Sequence, residues 1–138
     1  MDTTALQELG EAIGTRREGA VIASEVAYGE LTVEVAASTL PEFIAWLKTD
    51  STCRFTTLVD ITAVDWPSRE RRFDMVYHFL SMHLNQRIRV KAEVREDELV
   101  PSIVSIHPSA EWFEREVFDM YGILFSGHPE KKKKNHTY

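Results

Sequence analysis

Two strand-like runs joined by a short turn constrain the fold more than any other feature of this sequence. Residues 73–84 carry apolar side chains on both sides of a period-two pattern, which is typical of a central strand covered on both faces. Residues 87–95 alternate strictly between apolar and charged side chains, which predicts a strand with one wet, mainly basic face. We interpret that basic face as solvated, with docking to an acidic partner as the alternative. The turn at residues 85–86 links the two strands.

The remaining segments alternate between helical and period-two patterns. Thr39 lies three residues before Glu42, a capping-box spacing that predicts a helix start. Gly14 predicts the end of the first helix, and Asp97 and Ser109 are candidate caps for the last two helices. In chain order the predicted elements are a helix over 4–13, strands over 21–28 and 31–35, a helix over 40–49, strands over 55–64, 73–84 and 87–95, and helices over 98–106 and 110–121.

The order α-β-β-α-β-β-β-α-α favours a two-layer α+β fold, in which a mixed or antiparallel sheet of about five strands packs with helices. A chain of 138 residues suits a single hydrophobic core. We therefore expect one domain over residues 1–130. Residues 131–138 begin with four consecutive Lys after an Arg-rich body, and we expect this polar tail to be truncated or non-native.

Composition argues against several classes of function. The net charge of −6 argues against a nucleic-acid partner held through phosphate contacts. Cys53 is the only cysteine, so this chain alone offers no iron–sulfur site, and we expect Cys53 to be an ordinary buried residue. No apolar run reaches the roughly 18 residues of a membrane helix, and the N-terminus lacks the pattern of a signal or transit peptide. No glycine-rich phosphate loop follows a predicted strand, so we expect no nucleotide cofactor in this chain.

Histidines and carboxylates offer a sharper, enzymatic hypothesis. His78 and His83 are five residues apart, so on one strand they point to opposite faces and cannot share a metal ion. His128 follows a glycine in a predicted loop, where hydrogen bonding is favoured over metal ligation. Glu116 and Asp119 share one side of the last predicted helix, but no cleft or nucleophile accompanies them in the pattern. A free-standing small-molecule enzyme that uses Glu, Asp and His side chains is therefore the alternative function.

The last predicted helix carries more apolar surface than one small core covers. One stripe of its helical wheel is predicted to face the core of this domain, and it contains Phe113, Val117, Met120, Tyr121 and Leu124. Trp112, Phe118 and Ile123 lie outside that stripe and are interleaved with charged residues. Two interpretations stay open: a surface for a partner, or a helix sandwiched inside one domain.

The run Glu-Arg-Glu-Val-Phe-Asp-Met-Tyr-Gly-Ile-Leu-Phe-Ser-Gly-His-Pro at 114–129 resembles the signature of the 30 kDa subunit family of proton-pumping NADH:quinone oxidoreductase, respiratory complex I. Segments 58–67 and 72–80 are also similar to this family. The positions that match the signature are Glu114, Arg115, Glu116, Asp119, Met120, Tyr121 and His128. The sequence departs from it at Lys132 and Lys134, where the family has an Arg and an aliphatic residue.

The resemblance implies a non-catalytic structural subunit of the peripheral arm, which supports NADH-to-quinone (ubiquinone) electron transfer coupled to proton translocation. It implies that this chain binds no cofactor or metal and that FMN and iron–sulfur clusters belong to partner subunits. The expected partners are the 49 kDa-type subunit and its neighbours, on the cytoplasmic face of a bacterial inner membrane or the matrix side of the mitochondrial one. The residues expected to dock are Glu114, Arg115, Glu116, Phe118, Asp119, Tyr121 and His128.

Overall fold

The computed structural model describes residues 4–128, which form three α-helices and seven strands. The helices are α1 (Thr4–Arg16), α2 (Leu40–Thr49) and α3 (Ala110–Tyr121), and a short 3-10 turn (Ala37–Thr39) precedes α2. The strands are β1 (Val21–Ala27), β2 (Glu30–Val35), β3 (Thr57–Asp65), β4 (Phe73–Ser81), β5 (Gln86–Val94), β6 (Val100–Pro101) and β7 (Phe125–Ser126). The predicted tail over 131–138 lies outside the described residues.

The main sheet has five strands in the order β1-β2-β5-β4-β3. The β2–β5 pair is parallel, and the other three pairs are antiparallel. Strands β6 and β7 form a separate parallel ribbon. The predicted α+β class with a mixed sheet of about five strands is therefore confirmed. The central strand is β5 rather than β4, because β2 pairs along its other side.

One face of the main sheet carries the hydrophobic core. Helix α1 packs over this face, where Gly10 lies so close to Leu31 that a Cβ at this glycine would be 3.0 Å from Leu31 Cδ1. Helix α3 reaches the same face through the edge-on ring pair of Phe73 and Tyr121, whose centroids are 6.0 Å apart. A row of paired residues crosses four strands of this face, and all of its members are buried: Val33, Val90, Tyr77 and Ile61.

The opposite face of the sheet is largely polar, and its charges pair across neighbouring strands. Lys91 Nζ lies 3.8 Å from Glu34 Oε1, and Arg89 forms an ion pair with Glu30. This pairing supports the solvated interpretation of the basic face over docking to an acidic partner. On β4 only the first half of this face is covered: Val76 is buried, but it does not join the main core cluster. The predicted coverage of β4 on both faces is therefore only partly correct.

The helix predicted over residues 98–106 is wrong. The chain instead forms β6 and then turns, and the amides of Val100 and Ser102 each donate a hydrogen bond of 3.0 Å to a carbonyl of the β7 segment. Pro101 lies between these two donors, where its missing N–H costs the ladder nothing. In a helix interior the same residue would cost about 3 kcal/mol. Asp97 accordingly caps no helix.

The predicted bounds of α2 and α3 are confirmed, but the predicted helix signals act differently. Helix α1 continues through Gly14 to Arg16, and the left-handed conformation expected at a helix stop falls on Gly19 (φ 90°). Thr39 makes no capping hydrogen bond to the α2 amides, because its hydroxyl donates to the carbonyl three residues earlier at 2.8 Å. Ser109 precedes α3 without a side-chain cap hydrogen bond.

The core stripe predicted for α3 is correct at Val117 and wrong at two other positions. Met120 is 73% exposed, and Ile123, which was placed outside the stripe, is buried. The reason is the helix end: Gly122 adopts a left-handed conformation (φ 75°) and donates its N–H to the Phe118 carbonyl. Beyond this glycine the chain leaves the helical path, so the wheel no longer describes its side chains.

Two substitutions on α3 test this assignment of its faces. Val117→Asp places an unpaired charge in the core and should lower the free energy of unfolding by more than about 3 kcal/mol. Met120→Asp on the exposed side should change it by less than about 0.5 kcal/mol. Urea unfolding followed by circular dichroism measures both values. Similar losses in the two variants would show that Met120 also faces the core.

Candidate docking helix and its buried anchor

The exposed face of α3 carries three of the seven residues predicted to dock. Exposed residues recur at spacings of three and four, which places them on one side of the helix. We call this set the α3 outer face; it consists of Trp112, Arg115, Glu116, Asp119 and Met120. Trp112 and Met120 are 65% and 73% exposed, which is unusual for side chains of this size. Phe118 and Tyr121 are half-buried at the flanks of the face.

Glu114 lies on the opposite side of α3 and is completely buried. One carboxylate oxygen accepts a hydrogen bond of 2.7 Å from the Ser102 hydroxyl. The other oxygen accepts a hydrogen bond of 2.9 Å from the Ile103 amide. The carboxylate therefore fastens α3 to the segment that follows β6, and it satisfies a buried backbone amide that would otherwise lack a partner in a helix or sheet.

His128 is also completely buried, and it joins Glu114 in the interior. Its Nε2 lies 3.0 Å from the carbonyl oxygen of Glu111, in the first turn of α3, so this nitrogen carries hydrogen and donates. The same Nε2 lies 3.9 Å from Glu114 Oε1. The structure thus brings Glu114 and His128 together, but away from the α3 outer face. A docking role for these two residues stays a prediction, and their side chains do not reach the surface here.

The electrostatics of this interior cluster are set by burial. Burial raises the pKa of Glu114 from 4.5 to about 7, and the hydrogen bonds from Ile103 and Ser102 oppose that shift. Tyr77 on β4 is fully buried, and burial followed by the charge of Glu114 raises the pKa of its phenol well above the usual range. Glu114 therefore titrates near neutral pH.

The other titratable candidates are dispersed. Burial, followed by the charge of Lys48, lowers the pKa of His107 to about 4. His78 faces the polar side of the sheet, and His83 follows the end of β4, so the two do not meet. Cys53 is buried as expected, and burial raises the pKa of its thiol to about 11. Within residues 4–128, no group of three or more His, Cys, Asp or Glu could hold a metal ion.

The enzymatic alternative gains no support from the cavities of the described residues. A groove of about 780 Å³ at one end of the sheet is lined by mixed side chains that include His78, Asp60 and Arg87. The carboxylates of the enzymatic hypothesis are elsewhere, because Glu114 is buried under α3 and the acids of the α3 outer face point to solvent. In the same described range, no helix is long and apolar enough to cross a membrane.

The fold and the site together define a class: a small α+β domain with a buried Glu–His anchor beneath an exposed helix face. The chain belongs to the family described as respiratory-chain NADH dehydrogenase, 30 kDa subunit, which matches residues 33–136. This confirms the family that the 114–129 run predicts.

Individual relatives agree with this family. The chain is 58% identical over 129 residues to the C-type subunit of NADH-quinone oxidoreductase from Ruegeria pomeroyi, an alignment that covers 94% of the chain and 64% of that relative. It is 60% identical over 131 residues to the same subunit from Dinoroseobacter shibae, with 95% and 61% covered. The chain therefore spans less than two thirds of the length of these relatives. The structure of a trypsin-resistant fragment (1–134) of Nqo5 matches with a TM-score of 0.75 and 30% identity, covering 90% of this chain and 97% of that fragment.

The buried carboxylate predicts a pH dependence of folding stability. Because the pKa of Glu114 is higher in the folded chain than its ordinary value of 4.5, the folded state keeps a proton that the unfolded state has lost. The resulting stability is fully present below about pH 4.5 and is lost as pH rises through about 7, a change on the order of 3 kcal/mol. Glu114→Gln removes the titrating group and should abolish this part of the slope.

Urea unfolding of the 138-residue chain at half-unit steps from pH 4.5 to 8 measures the slope. Glu111→Gln is the matched control, because this side chain is exposed on the same helix and only its backbone carbonyl contacts the cluster. The control should keep the slope of the original chain. An unchanged slope in Glu114→Gln would contradict the assignment.

Proposed function

We propose that this chain is a non-catalytic structural subunit of the peripheral arm of an NADH:quinone oxidoreductase. In this role it supports electron transfer from NADH to quinone, coupled to proton translocation, without carrying a redox centre. The observation that carries the proposal is the family match over residues 33–136, joined by relatives named as a subunit of NADH-quinone oxidoreductase. FMN and iron–sulfur clusters are then held by partner subunits. The domain sits at the cytoplasmic face of a bacterial inner membrane, or on the matrix side if the protein is mitochondrial.

The proposed partner is the 49 kDa-type subunit, together with its neighbours in the peripheral arm. The proposed contact is the α3 outer face, with Phe118 and Tyr121 at its flanks. Support comes from the two large apolar side chains of this face, because exposed Trp and Met separated by charged residues have the composition of an interface centre. Glu114 and His128 act from below by fixing the position of the helix. No observation on the described residues favours a free-standing enzyme.

A matched pair of methionine substitutions tests the proposed contact. Met120 on α3 is 73% exposed and Met82, in the turn after β4, is 74% exposed. Met120→Glu should weaken co-purification of the chain with the co-expressed 49 kDa-type subunit at least tenfold, because it buries a new charge at the interface, and tenfold corresponds to about 1.4 kcal/mol. Met82→Glu introduces the same charge at the same exposure and should leave co-purification unchanged.

Thermal unfolding of both variants serves as the folding control, since neither side chain is part of the core. Equal co-purification of the two variants with the 49 kDa-type subunit would remove α3 from the interface. Loss of binding in Met82→Glu alone would move the contact to the β4–β5 end of the domain.

A further inference from the structure

We propose that Glu114 and His128 share a single proton and act together as a proton-operated latch, which holds the chain beyond β7 against the first turn of α3. The latch is a property of the domain itself and does not depend on the proposed docking. It adds a regulatory function to a cluster that otherwise explains only packing.

The geometry places three segments on one pair of buried side chains. Glu114 contributes from α3 and accepts hydrogen bonds from the segment at residues 102–103. His128 contributes from the end of β7 and donates back to the Glu111 carbonyl on α3. Both side chains are 0% exposed, and Glu114 Oε1 lies 3.9 Å from His128 Nε2. The two groups are therefore close enough for the charge of one to control the protonation of the other.

Charge balance explains why one shared proton is the stable state. With one proton on the pair, either both groups are neutral or a carboxylate faces an imidazolium, and the net buried charge is zero in both cases. A second proton leaves an uncompensated positive charge, and loss of the first leaves an uncompensated negative charge. Each of these states is costly without water. Two interacting groups of this kind titrate in two steps that belong to the pair.

The surrounding side chains do not supply the missing counter-charge from within the cluster. Tyr77 faces Glu114 from β4 with a phenol whose pKa is raised, so it stays neutral across the physiological range. Ser102 contributes a neutral hydroxyl. The charged groups nearest in sequence, Glu111 and Arg115 on α3, have exposed side chains. The proton on the pair is therefore the principal control on its charge.

Release of the latch changes the surface beside it. His128 lines a depression of about 320 Å³ together with Trp112 and Arg115 of the α3 outer face. When the pair gains or loses a proton, the uncompensated charge favours movement of His128 towards water. The floor of that depression opens, and the chain after residue 128 loses its attachment to α3. We expect a closed latch near neutral pH and release on the acidic and alkaline sides.

Nuclear magnetic resonance of the 138-residue chain tests this coupling directly. The Ile103 amide donates to Glu114 Oε2, so its proton shift reports the ionisation of that carboxyl. The ring carbon shifts of His128 report the imidazole. We expect His128→Gln to raise the Glu114 midpoint by about one pH unit or more, because the imidazolium that favours the carboxylate is lost. Glu114→Gln should lower the His128 midpoint by a similar amount, since coupling is reciprocal.

Glu111→Gln is the control and should move neither midpoint. If both midpoints stay within about 0.3 pH units of those of the original chain, the groups titrate independently and the latch is refuted. Where His128→Gln does not fold, the original chain alone decides. In that case the Ile103 amide and the His128 ring must titrate in the same two steps, and separate, unrelated single steps would overturn the proposal.

Discussion

The buried carboxylate of Glu114 is the contact on which the arrangement of the last helix depends. The main sheet presents one apolar face, and α1 and α2 cover it with apolar side chains alone. Helix α3 is different, because only Ala110, Glu114 and Val117 of its side chains are fully buried. With so little apolar contact, its position is fixed by the hydrogen bonds that Glu114 accepts from residues 102–103 and by His128, which returns from β7 to the same helix.

Much of the fold follows from periodicity in the sequence. The strict alternation of residues 87–95 and the apolar spacing of 40–49 predict β5 and α2 to within one residue, because in both segments one face is buried and the other is wet. The failures occur where tertiary contacts decide. Pro101 takes a ribbon that only the return of β7 makes possible, and Gly122 redirects the chain so that a helical wheel misplaces Ile123. Neither contact is visible in local sequence.

The candidate site was only partly predictable. The resemblance singles out Glu114 and His128, but it assigns them to docking, whereas the structure places both inside the domain. A signal for Glu114 was present, because this residue lies four after Ala110 and three before Val117 on the buried side of α3. A charged residue on an apolar stripe indicates a buried polar contact. The partner of that contact could not be deduced, since Ser102 and Ile103 belong to a segment that was predicted to be a helix.

The two sides of α3 have separate roles: the inner side is an anchor, and the α3 outer face is the proposed contact with the 49 kDa-type subunit. Methionine oxidation tests this separation directly, because it reads exposure in the unaltered chain. Peroxide labelling of the chain by itself should oxidise Met120 and Met82 to similar extents, as their exposures are 73% and 74%. After addition of the 49 kDa-type subunit, we expect protection of Met120 while Met82 remains reactive. Undiminished oxidation of Met120 in a complex that has demonstrably formed would contradict the proposed division of α3 into an anchor and a docking face.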